Sequence, residues 1–169
     1  MQRWLYRREL ERLAGSPVVY LDQCGVDHRL MREWGWAPRG ERVRAEVPGR
    51  RLGRTSVISA WRDGRLLAPI TFQGHCKSAL VEAYFAAALL PALAKGTLIV
   101  LDNASFHRSR ELARLVEEAG CRLLFLPPYS PDLNPIERTW AAFKKLIRKG
   151  LSFAQDKFSF ITEKCQCYC

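Results

Sequence analysis

Two aspartates close apolar, strand-like runs: Asp22 ends Val18-Val19-Tyr20-Leu21-Asp22, and Asp102 ends Leu98-Ile99-Val100-Leu101-Asp102. A third acid, Glu137, follows the string Pro127-Pro128-Tyr129-Ser130-Pro131-Asp132-Leu133-Asn134-Pro135 and opens a helical pattern. Carboxylates about 4 Å apart repel by roughly 4 kcal/mol at an effective dielectric near 20, so a cluster of three stays ionised only with cations among them. Hard oxygen donors favour magnesium or manganese. The chemistry such a centre serves is in-line displacement at phosphorus, where two ions about 4 Å apart hold the attacking and leaving oxygens. Asp132 lies close to Glu137 and competes for the third place, but Ser130-Pro131-Asp132 is turn-forming, which makes it a loop or capping residue.

The elements that must carry these acids are legible from periodicity. Residues 3–13 place Leu5, Leu10 and Leu13 among Arg and Glu, a short amphipathic helix that ends at Gly15-Ser16-Pro17. A first strand runs from about Val18 to Leu21. The Arg-, Gly- and Trp-rich segment from Cys24 to Gly53 reads as an extended excursion, centred on Trp34-Gly35-Trp36-Ala37-Pro38-Arg39-Gly40. Two β-prone runs, Thr55 to Trp61 and Leu66 to Phe72, flank Asp63-Gly64 and predict a hairpin. Ser78 to Ala94 is a helix candidate that Pro91 ends or kinks. Leu98 to Leu101 predicts a strand covered on both faces. Ser109 to Ala119 is helical with Gly120 where a C-cap belongs, and Arg122 to Leu126 is a second buried strand. Strand, helix, strand of that length is a βαβ unit, so this part of the sheet should be parallel. The last helix opens with Asn134 as N-cap and Pro135 at its first position, and runs through Trp140, Phe143, Leu146 and Ile147 to Gly150. Beyond Gly150 the periodicity is too weak for an assignment.

Length and charge narrow the class. The chain has 169 residues, 48% of them hydrophobic, enough for one ordinary core. Its 27 Lys and Arg against 17 Asp and Glu give a formal net charge of +10, which favours a polyanionic partner. The N-terminus is Arg-rich without the apolar core of an export signal, and Ala83 to Ala94 is far short of the roughly 20 apolar residues a membrane span needs. The expectation is a cytoplasmic protein with its six cysteines reduced. Cys24, Cys76 and Cys121 read as buried small hydrophobes, and Cys165, Cys167 and Cys169 lack zinc-site spacing.

At this point the residues resemble a known family. Val19-Tyr20-Leu21-Asp22, Gly35-Trp36-Ala37-Pro38-Arg39-Gly40, Leu101-Asp102-Asn103-Ala104-Ser105-Phe106-His107 and the string from Leu124 to Glu137 are similar to the catalytic domain of bacterial insertion-sequence transposases in the mariner superfamily. Thirty-four residues separate Asp102 from Glu137, the spacing associated with this Asp-Asp-Glu branch. The resemblance implies an α/β ribonuclease H-like fold, with three antiparallel strands then two parallel ones in a mixed sheet flanked by helices. On that basis the chain divides into a helical lead-in at 1–16, a catalytic domain at 17–150 and a divergent tail at 151–169. Asp22, Asp102 and Glu137 become the catalytic and metal-binding triad for two Mg2+ or Mn2+ ions. The implied chemistry is strand cleavage by water at the element's ends, then attack of the freed 3′-hydroxyl on target DNA at a short site such as TA. Asn103 and His107 are placed either to orient a phosphate, a water or a ligand carboxylate, or to fix the turn and the next helix start. Gln23 departs from the Glu common after the first aspartate.

Double-stranded DNA is the expected partner. Arg39, Arg42, Arg44, Arg50, Arg51 and Arg54, with Lys144, Lys145, Arg148 and Lys149, are candidate phosphate contacts, and solvated faces are the plain alternative. Trp34 and Trp36 are placed either to stack on unpaired bases or to pack on the sheet. Only 21 residues precede Asp22, too few for the helix-turn-helix reader such enzymes carry, so a split element joined to its reader by frameshifting, or a truncated product, is expected. Relatives pair element ends as dimers, which makes a homodimer the expectation, in the bacterial cytoplasm at the nucleoid. Two competing readings are a ribonuclease H or junction nuclease on the same fold, and an inactive remnant that only binds DNA.

Overall fold

The computed structural model describes residues 2–30, 35–44 and 53–169. Its centre is a five-stranded sheet in the order β3-β2-β1-β4-β5. The strands are β1 Val18–Asp27, β2 Arg54–Arg62, β3 Arg65–Gln73, β4 Leu98–Leu101 and β5 Arg122–Phe125. β1 to β3 pair antiparallel, while β4 lies parallel to both β1 and β5. This is the mixed sheet the sequence implies. Helices α1 Gln2–Arg12, α2 Ser78–Tyr84, α3 Arg110–Glu118, α4 Ile136–Gly150 and α5 Lys157–Gln166 flank it.

Side-chain alternation sorts the core onto two faces. Val19 and Leu21 of β1 and Ile99 and Leu101 of β4 pack with Val81, Phe85, Leu112 and Val116 under α2 and α3. On the other face Cys24 and Val26 meet Ile136, Trp140, Phe143 and Ile147 of α4. There too Leu98 and Val100 meet Tyr6 of α1.

Local chemistry accounts for the joints. Asp63 and Gly64 take φ of 52° and 88°, the paired left-handed residues of a two-residue hairpin turn. In β3, Ala68 and Pro69 stand opposite the single residue Ser59, a bulge at which Ala68 adopts φ 48°. Ser109 caps α3 by accepting from the Leu112 N–H, and Gly120 at φ 71° closes it as the Cys121 N–H reaches the Val116 carbonyl.

Several boundaries differ from the sequence reading. β1 continues to Asp27 because β2 stays paired to it through Asp27↔Arg54, so Cys24 to Asp27 are strand rather than excursion. β5 is an edge strand, and its residues are exposed or half-buried rather than buried. From Phe85 the 78–94 helix widens to π geometry and then tightens to a 3-10 turn at Leu90–Ala92, since Pro91 has no N–H for an α ladder. In α1 the buried residue is Tyr6, while Leu5 faces water. Pro135 rather than Asn134 stands at the N-cap of α4, with no side-chain cap bond. The segment beyond Gly150 is structured: Asp156 caps α5, whose Ile161 and Cys165 are buried against the α4 core.

Candidate active site

Parity on adjacent strands brings the two aspartates together. The parallel register Val18↔Leu98, Val19↔Ile99, Tyr20↔Val100, carried on two residues, sets Asp22 abreast of Asp102 on strands about 4.8 Å apart. Both positions share the parity of Tyr20, Cys24 and Val100, so both carboxylates project toward α1 and α4 rather than toward α2 and α3. Asp22 is therefore within a strand, at the level where β4 stops, and only Asp102 follows a strand end. Glu137 lies in the first turn of α4 and completes a cleft of about 240 Å3 with both aspartates, Asn103, Asn134 and the Pro127-to-Pro131 loop.

The acids differ electrostatically. Burial pushes the Asp22 carboxyl up to about 7, with repulsion from Glu137 and Asp102 adding to it, although the Trp140 indole N–H donates to Oδ2 at 3.1 Å. Burial also raises Asp102, but the hydrogen bonds to Oδ1 from His107 Nδ1 at 2.6 Å and from the Ala104 N–H at 3.1 Å outweigh it and leave this carboxyl below its ordinary value. His107 is 1% exposed, and its Nε2 is buried with no partner among the described residues. Its ring thus fixes the orientation of the Asp102 carboxyl. Asn103 lines the cleft, and its Oδ1 accepts from Arg108 Nε at 2.7 Å. Asp132 makes an ion pair with Arg3 and does not line this cleft.

The donor set fits a hard divalent cation. An ionised Asp22 is penalised by burial and by two neighbouring acids, and positive charge in the cleft relieves that penalty. Among the described residues, no three His, Cys, Asp or Glu side chains are gathered closely enough to hold an ion. The triad shares a cleft without forming a closed cage.

The sequence profile of the DDE superfamily endonucleases matches residues 17–158. The chain belongs to the DDE superfamily endonuclease family. It is 30% identical over 142 residues to the insertion element IS630 uncharacterized 39 kDa protein of Shigella sonnei, across 81% of this chain and 40% of that one. Among solved structures it superposes on the Mos1 transposase paired-end complex with left transposon end at a TM-score of 0.68. Identity there is 17%, over 96% of this chain and 55% of the Mos1 chain. The mariner Mos1 paired end complex with Mg gives a TM-score of 0.63 at 16% identity, over 98% of this chain and 59% of that one. At such identities the likeness shows the fold, which is ribonuclease H-like. The chain spans about 40% of the insertion-element protein and little more than half of the Mos1 chains.

Within the DDE endonuclease domain, the basic residues separate. Arg54 is exposed at the start of β2 and lines a second cleft that also contains Asp22 and Asp102. Lys144 stands on the Glu137–Trp140 face of α4 beside the Cys24 thiol, with Lys145 exposed and Arg148 half-buried further along the helix. Arg39, Arg42 and Arg44 are exposed and line neither cleft, and Arg50, Arg51 and Trp34 lie outside the described residues. Trp36 is fully exposed rather than packed on the sheet. Two residues at the site were not singled out by sequence. Trp140 reads as a core residue, yet its spacing of three from Glu137 puts its N–H on the carboxylate face. Tyr129 is fully exposed at the cleft rim with φ 52°.

Proposed function

We propose that this DDE endonuclease domain is the catalytic part of an insertion-sequence transposase. It would cut DNA strands at the ends of its element and join the freed 3′-hydroxyl to target DNA, using Mg2+ or Mn2+, two ions per site. The observation that carries the proposal is the placement of Asp22 and Asp102 abreast on one face of adjacent parallel strands, with Glu137 of α4 on the same cleft.

In this reading Asp22, Asp102 and Glu137 hold the ions. Bound divalent cations supply Lewis-acid polarisation of a phosphoryl oxygen and activation of water at neutral pH. The protein's own groups fix the ligands. Trp140 tethers Asp22 through Oδ2, and His107 with the Ala104 N–H occupies Asp102 Oδ1, so that Oδ2, which has no hydrogen-bond partner among the described residues, is the oxygen offered to a ligand. The net charge of +10 supports double-stranded DNA as partner, with Arg39, Arg42, Arg44, Arg50, Arg51, Arg54, Lys144, Lys145 and Arg148 as phosphate contacts. A homodimer, a helix-turn-helix polypeptide joined by frameshift, and a cytoplasmic, nucleoid-bound location complete the proposal. No helix among the described residues is long and apolar enough to cross a membrane.

The test is nicking of a supercoiled plasmid that carries the DNA flanking the gene. Nicking is expected with Mg2+ or Mn2+ and absent in EDTA and in Asp102→Asn, and unchanged nicking by that variant refutes the assignment. The open arrangement of the three carboxylates favours one alternative, a remnant that binds DNA without metal chemistry. Calorimetric titration with Mn2+ separates the two, because the remnant gives no binding heat.

A further inference from the structure

We propose that the cleft beyond the aspartate pair is a second phosphodiester subsite, in which Arg54, laid across Gly25, holds a backbone phosphate next to the one being cut. The proposal rests on the reading of the chain as a DNA-cutting domain. The second cleft, of about 370 Å3, is lined by Gln23, Gly25, Arg54 and His75 among others. It shares only Asp22 and Asp102 with the cleft that holds Glu137. A strand whose scissile phosphate lies at the aspartates therefore has a groove to continue into. Gly25 is three residues from Asp22, roughly 10 Å along a strand, the scale of one or two nucleotides of stretched backbone.

The seat for Arg54 is specific. Arg54 pairs with Asp27 across the β1–β2 ladder and reaches diagonally back, so that a methyl group on Gly25 would overlap its guanidinium outright. Gly25 is not in the left-handed region, so its backbone does not call for glycine. A glycine inside a central strand weakens it, and its use here is the close approach of the guanidinium. Asp27 is taken by Arg29 at 3.3 Å, and Arg54 has no carboxylate partner among the described residues. An exposed guanidinium held flat on a strand, without a counter-ion among the described residues, presents its planar fork to a phosphate.

The experiment uses the full chain and a labelled 30-base-pair duplex in EDTA, with affinity read by fluorescence anisotropy across a salt series and folding checked by circular dichroism. Arg54→Ala should weaken binding roughly tenfold at low salt, as loss of one charge-assisted contact does. The log–log salt slope should fall by about 1. Gly25→Ala, which displaces the guanidinium, should show the same loss and add nothing on the Arg54→Ala background. Folded variants with unchanged affinity and slope overturn the subsite, as does a wild-type chain that binds no duplex. The plasmid-nicking assay is separate: if Asp102→Asn nicks like wild type the catalytic reading fails, while the anisotropy result still decides the subsite.

Discussion

Asp22→Asn should stabilise the metal-free protein while abolishing its chemistry. Asn preserves size and an oxygen to accept the Trp140 N–H, which donates to Asp22 at 3.1 Å, and it removes only the charge. The carboxyl is raised from 3.8 to about 7 by burial and by Glu137 and Asp102. A carboxyl whose folded value lies above its unfolded value binds protons more tightly when folded. Its contribution to stability is therefore favourable at low pH and is lost as pH rises from about 4 through 7. At about 1.36 kcal/mol per unit, the penalty on the wild type approaches about 4 kcal/mol at pH 8 and falls to about 2 at pH 5. These are ceilings, because a cleft open to water screens part of the charge. For a domain of this size, 1 kcal/mol is worth about 2–4 °C, so the variant should melt on the order of 5–10 °C above wild type at pH 8 in EDTA, with the gap halved at pH 5. Thermal denaturation by circular dichroism at both pH values is the assay. Adding Mg2+ should raise the wild-type midpoint and leave the variant unmoved. Equal midpoints at pH 8, or a gap that does not narrow on acidification, refute the assignment of buried charge to Asp22.

Three further substitutions probe the supports of the site. His107→Ala removes the 2.6 Å bond to Asp102 and a side chain only 1% exposed; it should lower Mn2+ affinity about 10–100-fold by calorimetry and cost about 2–3 kcal/mol in urea unfolding. Trp140→Phe keeps the ring against Phe143 but deletes the donor to Asp22; a stability loss near 1 kcal/mol with a larger drop in nicking rate is expected, and an unchanged rate would show that the tether is dispensable. Ile161→Ala, in the fully buried face of α5, should cost about 2–5 kcal/mol by urea denaturation, and a loss under 0.5 would show that the last helix is not part of the cooperative unit.

How far the sequence reached follows from how local each signal is. Asp63-Gly64 announced its hairpin because a two-residue turn demands left-handed residues, and the structure puts both there at 52° and 88°. Ser109 and Gly120 marked α3 for the same kind of reason. The apolar signal of β1 stops at Leu21 because Gln23, Gly25 and Asp27 break the run, and only pairing with β2 holds those residues extended. Capping of α4 by Asn134 followed a good local rule, yet the chain turns through a 3-10 turn at Pro131–Leu133 and enters the helix one residue later. α5 was hidden because only Ile161 and Cys165 of its ten residues are buried, too sparse a stripe to show as periodicity.

The site divides along the same line. That Asp22 and Asp102 share a face is a matter of parity and parallel register, both readable once the two strands are known to be neighbours. What parity does not give is the asymmetry between them. Asp22 lies two residues from Tyr20 and two from Cys24, on a face roofed by α4, whereas Asp102 emerges past the end of β4, where a turn can supply His107 and the Ala104 N–H. One carboxyl is thereby held above its ordinary value and the other below it. A cation held by the two aspartates would meet an Asp102 that ionises readily and would compete with the proton on Asp22. Metal affinity should therefore rise with pH up to about 7 and flatten above it. That dependence belongs to Asp22 and should vanish in Asp22→Asn, where whatever weak Mn2+ binding remains should lose its slope across the same range.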